Sequence, residues 1–102
     1  MEDKFLNYNE SQIAISEYSK ALAHPARIKI LKILSKYDSC ICNDIVKELP
    51  LAQSTVSQHL KELKKSGLID SQADGTRSIY FLNKKALKSY RKEMDKFFKK
   101  FK

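Results

Sequence analysis

A chain of 102 residues suits one domain, residues 1–102, and its 42% hydrophobic content builds a core small enough that pairing with a second copy would help stability. The formal net charge of +8 and the isoelectric point near 9.5 suit a polyanionic partner such as nucleic acid. No apolar run approaches the roughly 20 residues needed to span a membrane, which excludes a helical membrane protein.

The first residues, Met1-Glu-Asp-Lys-Phe-Leu6, lack a basic region followed by an apolar stretch, unlike a secretion signal. A cytoplasmic protein is the expectation. Asn7 to Ala23 reads as a first helix, with Ile13, Tyr18 and Leu22 as buried positions. His24-Pro25 then punctuates the chain. Proline is well tolerated at the first helical position, so a second helix begins at Pro25. Ile30, Leu31, Ile33 and Leu34 give it an apolar face, with Ile28 added, and Tyr37-Asp38-Ser39 closes it. His24 is read as a capping or packing residue.

A short helix follows over Cys42 to Glu48, with Ile45, Val46 and Leu49 inward, Ser39 or Asn43 as its cap, and Pro50 at its end. Cys40 and Cys42 are the only cysteines. Their spacing is poor for a structural disulfide and does not argue for secretion. On an ideal helix, residues two apart point about 200° apart and cannot hold one ion. If Cys40 precedes the helix and Cys42 is its first residue, the thiols can converge, and the helix N-terminus would lower their pKa. Soft thiolates favour soft metal ions and arsenic(III). A redox switch, or no sensing role, remain as alternatives.

Residues 49–67 carry the most information. Val56, Leu60 and Leu63 form one apolar stripe on a helix. The opposite face carries Gln53, Ser54, Thr55, Ser57, Gln58, His59 and Lys61. These side chains hydrogen-bond, as a surface meeting base edges and phosphates must. Ala52 stands where a capping Ser, Thr or Asp is expected, and Gly67 supplies a left-handed C-terminal cap. Helix, short turn, helix is the helix-turn-helix arrangement.

Leu68 to Ala73 and Arg77 to Leu82 read as strands around Asp74-Gly75, a strong hairpin signal. Such a wing would bring Thr76 and Arg77 to phosphates or the minor groove. Lys84 to Lys102 is a last helix. Leu87, Tyr90, Met94, Phe97 and Phe101 form a heptad-like seam, widened by Phe98. Together with the first helix and Ile13 this seam is the expected dimer surface. The lysines on the other faces are read as solvated.

This order of elements resembles the ArsR/SmtB family of bacterial winged-helix repressors over roughly residues 18–101. Three motifs carry the resemblance: Ala21-Leu-Ala-His-Pro-Ala-Arg-Ile-Lys-Ile-Leu31, Ser39-Cys-Ile-Cys-Asn-Asp-Ile45 and Leu51-Ala-Gln-Ser-Thr-Val-Ser-Gln-His-Leu60. It implies a mainly α fold with a β-hairpin wing, and a homodimer that binds a palindromic double-stranded DNA operator and releases it when an effector arrives. The second motif is similar to the Cys-x-Cys segment of the arsenic-sensing branch, so arsenic(III) or another thiophilic ion is the implied effector at Cys40 and Cys42. The chain departs from the family in three ways. Residues 84–102 contain no His, against the zinc-sensing site. A third cysteine after the pair is missing, and so is an N-terminal one. Asp44, water or an exogenous thiol is left to complete a site. No catalytic set is found, and no cofactor is required. The rival reading is a winged-helix protein-interaction module without a DNA or metal role. It is disfavoured by the amide-rich face of residues 53–61 and its lack of aromatic anchors.

Overall fold

The structure, a computed structural model, describes residues 7–102; the reading of residues 1–6 lies outside them. Helix α1 spans Glu10–Ala21, shorter at both ends than the expected 7–23. Asn9 and Gln12 explain its start. The Asn9 side chain accepts the Gln12 N–H at 2.8 Å, and the Gln12 side chain accepts the Asn9 N–H at 3.0 Å. This reciprocal cap satisfies two backbone donors that the helix cannot. Its far end stops ahead of His24-Pro25, where the residue before proline is pushed to extended backbone.

Helix α2 spans Pro25–Tyr37 and begins at the proline, as expected. Ile30, Ile33 and Leu34 are buried, and Leu31 packs against them. Ile28 does not join them and is 45% exposed. Lying two residues before Ile30, it points about 200° away around the helix. His24 is the N-cap residue, but its side chain makes no capping hydrogen bond. At the other end Asp38 has φ 64°, the single non-glycine residue with positive φ among those described. The Ser39 N–H donates to the Tyr37 carbonyl at 2.6 Å, closing a tight three-residue turn around Asp38.

That turn sets up a strand the sequence did not announce. Strand β1, Cys40–Ile41, is two residues long and leads directly into helix α3, Cys42–Val46, which ends before the expected Glu48. Neither Ser39 nor Asn43 caps α3. Asp44 does so in part, its carboxylate accepting the Ile41 N–H at 3.1 Å. Helix α4, Gln53–Ser66, follows after a short turn. Ala52 sits at its N-cap with no side-chain bond, and Gly67 ends it in the left-handed conformation at φ 89°.

Strands β2, Ile69–Asp74, and β3, Arg77–Leu82, form the hairpin. Asp74 pairs with Arg77, so β2 runs one residue past the expected Ala73, β3 has its expected bounds, and the two loop residues are Gly75 and Thr76. Gly75 holds φ 65° at the first loop position, which hairpins with two-residue loops demand. With β1 added, the sheet is three-stranded and antiparallel, in the order β1-β3-β2, and Cys40 lies opposite Tyr80. Helix α5, Lys84–Phe98, is capped by Asn83 and tails into a 3-10 turn over Lys99–Phe101.

The core lies where α2, α3, α4 and the base of the hairpin meet. Ile30, Leu34, Ile45, Val56, Leu60, Leu63, Leu68 and Ile69 are all below 2% exposed. The predicted stripe Val56, Leu60 and Leu63 is therefore what seats α4 on the domain and turns its polar face outward. No helix among the described residues is long and apolar enough to cross a membrane.

Candidate nucleic-acid interface

Burial of that stripe leaves Gln53, Ser54, Thr55, Ser57, Gln58 and Lys61 exposed, while His59 is half-buried. The residues do not form one undivided surface. Ser54, Ser57, Gln58 and Lys61 line a shallow depression together with Lys64 and with Ser71, Ser78 and Tyr80 of the hairpin. Gln53 lines a second one with Thr76 and Arg77 of the wing and with Cys42 and Asn43 at the start of α3. Thr55 stands on the far flank, one turn before His59. The first turns of α4 and the wing thus flank a polar channel made of two shallow depressions that share Ser78 and Tyr80.

Three contacts shape it. Lys64 Nζ donates to Ser71 Oγ at 2.7 Å and ties α4 to the base of the wing. The Arg77 guanidinium reaches Asp74 at 3.4 Å across the wing tip, with both side chains more than half exposed. An exposed pair of this kind is worth little and leaves Arg77 available to a phosphate. His59 Nδ1 accepts a hydrogen bond from Arg27 Nε at 3.0 Å, and its ring lies 5.1 Å from that of His24. The ring expected on the reading face is therefore drawn toward α2, and His24, itself exposed, meets that ring rather than capping α2.

Asn43, Lys64, Ser71, Ser78 and Tyr80 were missed as channel residues. Only Lys64 had a local signal, lying one turn beyond Lys61. Ser71, Ser78 and Tyr80 reach it from the hairpin strands and Asn43 from the start of α3, and no local pattern places them beside α4.

The cysteines occupy the predicted positions, Cys40 just before α3 and Cys42 at its first residue. Cys40 is buried and Cys42 half-buried. They open onto different spaces: Cys40 onto a cavity shared with Tyr37, Asp44 and Glu48, and Cys42 onto the channel beside Arg77. The expected lowering of their pKa is overturned. Burial pushes both thiols above their ordinary value of 9.0, and the Asp44 and Glu48 carboxylates push Cys40 further. A helix of five residues supplies too little opposing field. Among the described residues, no group of three or more His, Cys, Asp or Glu side chains is placed to hold a metal ion.

The model of the bacterial regulatory proteins of the arsR family matches residues 24–71, from the start of α2 into β2. The chain is 40% identical to an uncharacterized HTH-type transcriptional regulator of Methanocaldococcus jannaschii, over 66% of its own length and 75% of the relative's. It is 31% identical to the arsenical resistance operon repressor of Staphylococcus xylosus, over 79% of this chain and 77% of the other. The chain belongs to the arsR family. Among solved structures, it superposes on the homodimeric winged helix-turn-helix DNA-binding domain of a possible ArsR-family regulator of Mycobacterium bovis. The TM-score is 0.69 and the identity 25%, covering 78% of this chain and 74% of that one. The fold is accordingly that of a winged helix-turn-helix transcriptional regulator, and the chain is not an enzyme.

The arsR-family chain should show a pH window of stability. Burial, Arg27 and His24 hold His59 below its ordinary value of 6.5. The unfolded chain takes up that proton first, so stability falls as pH drops below 6.5 toward the folded-state value. The raised thiols act at the other end. The unfolded chain ionises near 9.0 and the folded one resists, so stability falls as pH rises beyond 9.0. Urea midpoints of the reduced protein between pH 5 and 10 check this. The alkaline limb should flatten in a Cys40→Ser/Cys42→Ser variant; an unchanged limb would refute its assignment to the thiols.

Proposed function

We propose that the chain acts as a homodimeric repressor that reads a palindromic operator through α4 and the wing and is released by a thiophilic ion. The observation that carries the reading is the exposed polar face of α4, Ser54, Ser57, Gln58 and Lys61, seated on a fully buried stripe and flanked by the wing. In this reading Gln53, Ser54, Thr55, Ser57, Gln58 and His59 meet base edges or phosphates, and Lys61, Thr76 and Arg77 meet the backbone. The cytoplasm, where the DNA is, would be its location.

Dimerisation uses the far side of the molecule. The seam on α5 is divided. Leu87 packs on its own core, and the Tyr90 ring lies 5.2 Å from Tyr18, with its hydroxyl 3.1 Å from Ser19. Ser11 donates to the Glu93 carboxylate at 2.5 Å, again joining α1 to α5. Past that point Phe97, Phe98 and Phe101 are 40%, 59% and 66% exposed, and Phe98 and Phe101 each meet the Phe97 ring edge to face. With Met94 and Ile13 they supply an apolar patch for a second copy. A two-fold pairing there would set the reading helices about 34–36 Å apart, one turn of DNA.

The test of DNA reading is a gel shift on duplexes enriched from a random pool, with a salt series. Arg77→Ala should weaken binding to every sequence alike and reduce the salt slope by about one, as expected when one phosphate partner is removed. A change confined to one base position would assign Arg77 to base reading instead.

Cys40 and Cys42 are the proposed effector site, in line with the arsenical repressor among the relatives. The resting thiols face different spaces, so one ion can bind both only if the start of α3 turns. An ion that prefers the turned state must weaken DNA binding, and Ile45, Val46 and Leu49 are the residues that would pass the strain to α4. Two thiols fall short of the three that arsenic(III) takes up, so an exogenous thiol, water or a released Asp44 would complete the set. Arsenite should dissociate the reduced protein–DNA complex, with cadmium and zinc as comparisons, and Cys40→Ser/Cys42→Ser should be insensitive. A double variant that responds like the wild type would remove the cysteines from the mechanism.

A further inference from the structure

Arg27 makes two hydrogen bonds to two different helices. Its Nε donates to His59 Nδ1 in the reading helix at 3.0 Å, and its Nη1 donates to the carbonyl of Ala21, the last residue of α1, at 3.2 Å. The second bond places a cation on the unsatisfied carbonyl end of α1, where the helix dipole favours it. The first decides the chemistry of the imidazole. A guanidinium can only donate, so Nδ1 must carry the lone pair and the ring proton must sit on Nε2. Among the described residues no acceptor meets Nε2. Burial, Arg27 and His24 favour the neutral ring, and in that form the bond to Nδ1 fixes the tautomer.

A phosphate or a base acceptor meets a ring nitrogen only if that nitrogen bears hydrogen. With the proton on Nδ1, the nitrogen left to the DNA would be an acceptor facing an acceptor. We propose that Arg27 is a positioning residue for DNA recognition: it holds His59 as the Nε2–H donor and fixes the reading helix to the end of α1. The proposal rests on α4 being the reading helix. Arg27 touches no DNA; it acts through His59. Because α1 also packs against α5 through Ser11 and Glu93, the same guanidinium connects the reading helix to the pair of helices that carry the dimer patch.

The decisive variant is Arg27→Lys. Lysine keeps the charge but, as a point donor on a different stem, cannot hold Nδ1 and the Ala21 carbonyl together. Full-length wild type, Arg27→Lys, His59→Ala and the double variant are measured on one duplex enriched by the wild type from a random pool. Arg27→Lys should lose roughly tenfold in affinity, about as much as His59→Ala, with less than about twofold added in the double variant. Nitrogen-15 spectra of the histidine rings should show wild-type His59 protonated at Nε2 at neutral pH, and a mixture of tautomers in Arg27→Lys. Wild-type affinity in Arg27→Lys, additive losses, or a wild-type ring protonated at Nδ1 would each overturn the proposal. A wild type that enriches no duplex would overturn the DNA reading itself, whereas normal wild-type binding with an indifferent Arg27→Lys overturns only the role of Arg27.

Discussion

A Ser57→Ala/Gln58→Ala variant is expected to lose most of its preference for the selected duplex while folding as the wild type does. Both side chains are exposed, and neither supports the core. Ser57 makes no hydrogen bond among the described residues, and the Gln58 amide reaches Glu62 at a long 3.4 Å. Among the described residues neither is tied into the core. What they offer is donor and acceptor capacity in the first two turns of a helix whose other side is locked by Val56, Leu60 and Leu63. Removing one base-reading side chain costs about 1–3 kcal/mol, so the pair should cost from about thirtyfold to more than about ten-thousandfold. Binding to random sequence, for which Lys61, Arg77 and net charge are the proposed contributors, should fall much less. Competition titrations with selected and random duplexes separate the two terms. Undiminished selectivity in a variant with wild-type circular dichroism would move the reading surface off α4.

The second large effect is expected at the opposite end of the molecule. Phe97→Glu/Phe101→Glu should turn a dimer into a monomer. Both rings are exposed within one chain, at 40% and 66%, so the substitutions place their charges in water and leave the fold intact. In a dimer the same charges would be buried against apolar surface without partners, which is strongly unfavourable. DNA affinity should collapse with the dimer, because one reading helix then holds one half-site and the two half-sites no longer act together. Sedimentation velocity at micromolar concentration measures the mass, and the gel shift measures the consequence. A wild type that sediments as a monomer, or a double variant that remains dimeric, would rule out the aromatic patch.

The two variants test surfaces of different legibility. The apolar stripe on α4 and the polar face opposite it could be read from spacing alone, since 3.6 residues per turn fix which side chains share a side once the helix exists. Pro25 and Gly67 marked helix ends for similarly local reasons: a ring that presets φ, and a missing Cβ that permits φ 89°. The same local rules erred where a competing bond intervened. Asn9 and Gln12 shortened α1, Asp44 took the capping role assigned to Ser39 or Asn43, and pairing of Asp74 with Arg77 carried β2 one residue further than expected.

What sequence alone determined was therefore the helices and the hairpin, most of their buried faces and the family, because helix periodicity, proline, glycine and short motifs act within a few residues. Tertiary structure alone decided which side chains meet across elements. Strand β1 exists only because Cys40 and Ile41 find β3 beside them, and two residues have no propensity strong enough to announce a strand. The cysteine pKa values rise rather than fall because burial and the carboxylates of Asp44 and Glu48 outweigh a helix of one turn. His59 reads as a simple surface donor until the fold brings Arg27, thirty-two residues earlier in the chain, to its Nδ1. Seam residues Leu87 and Tyr90 pack on their own chain, against the core and Tyr18 of α1, while Phe97 and Phe101 stay exposed. Arrangements of this kind depend on packing between distant segments, and packing is settled by the assembled core rather than by any local run of residues.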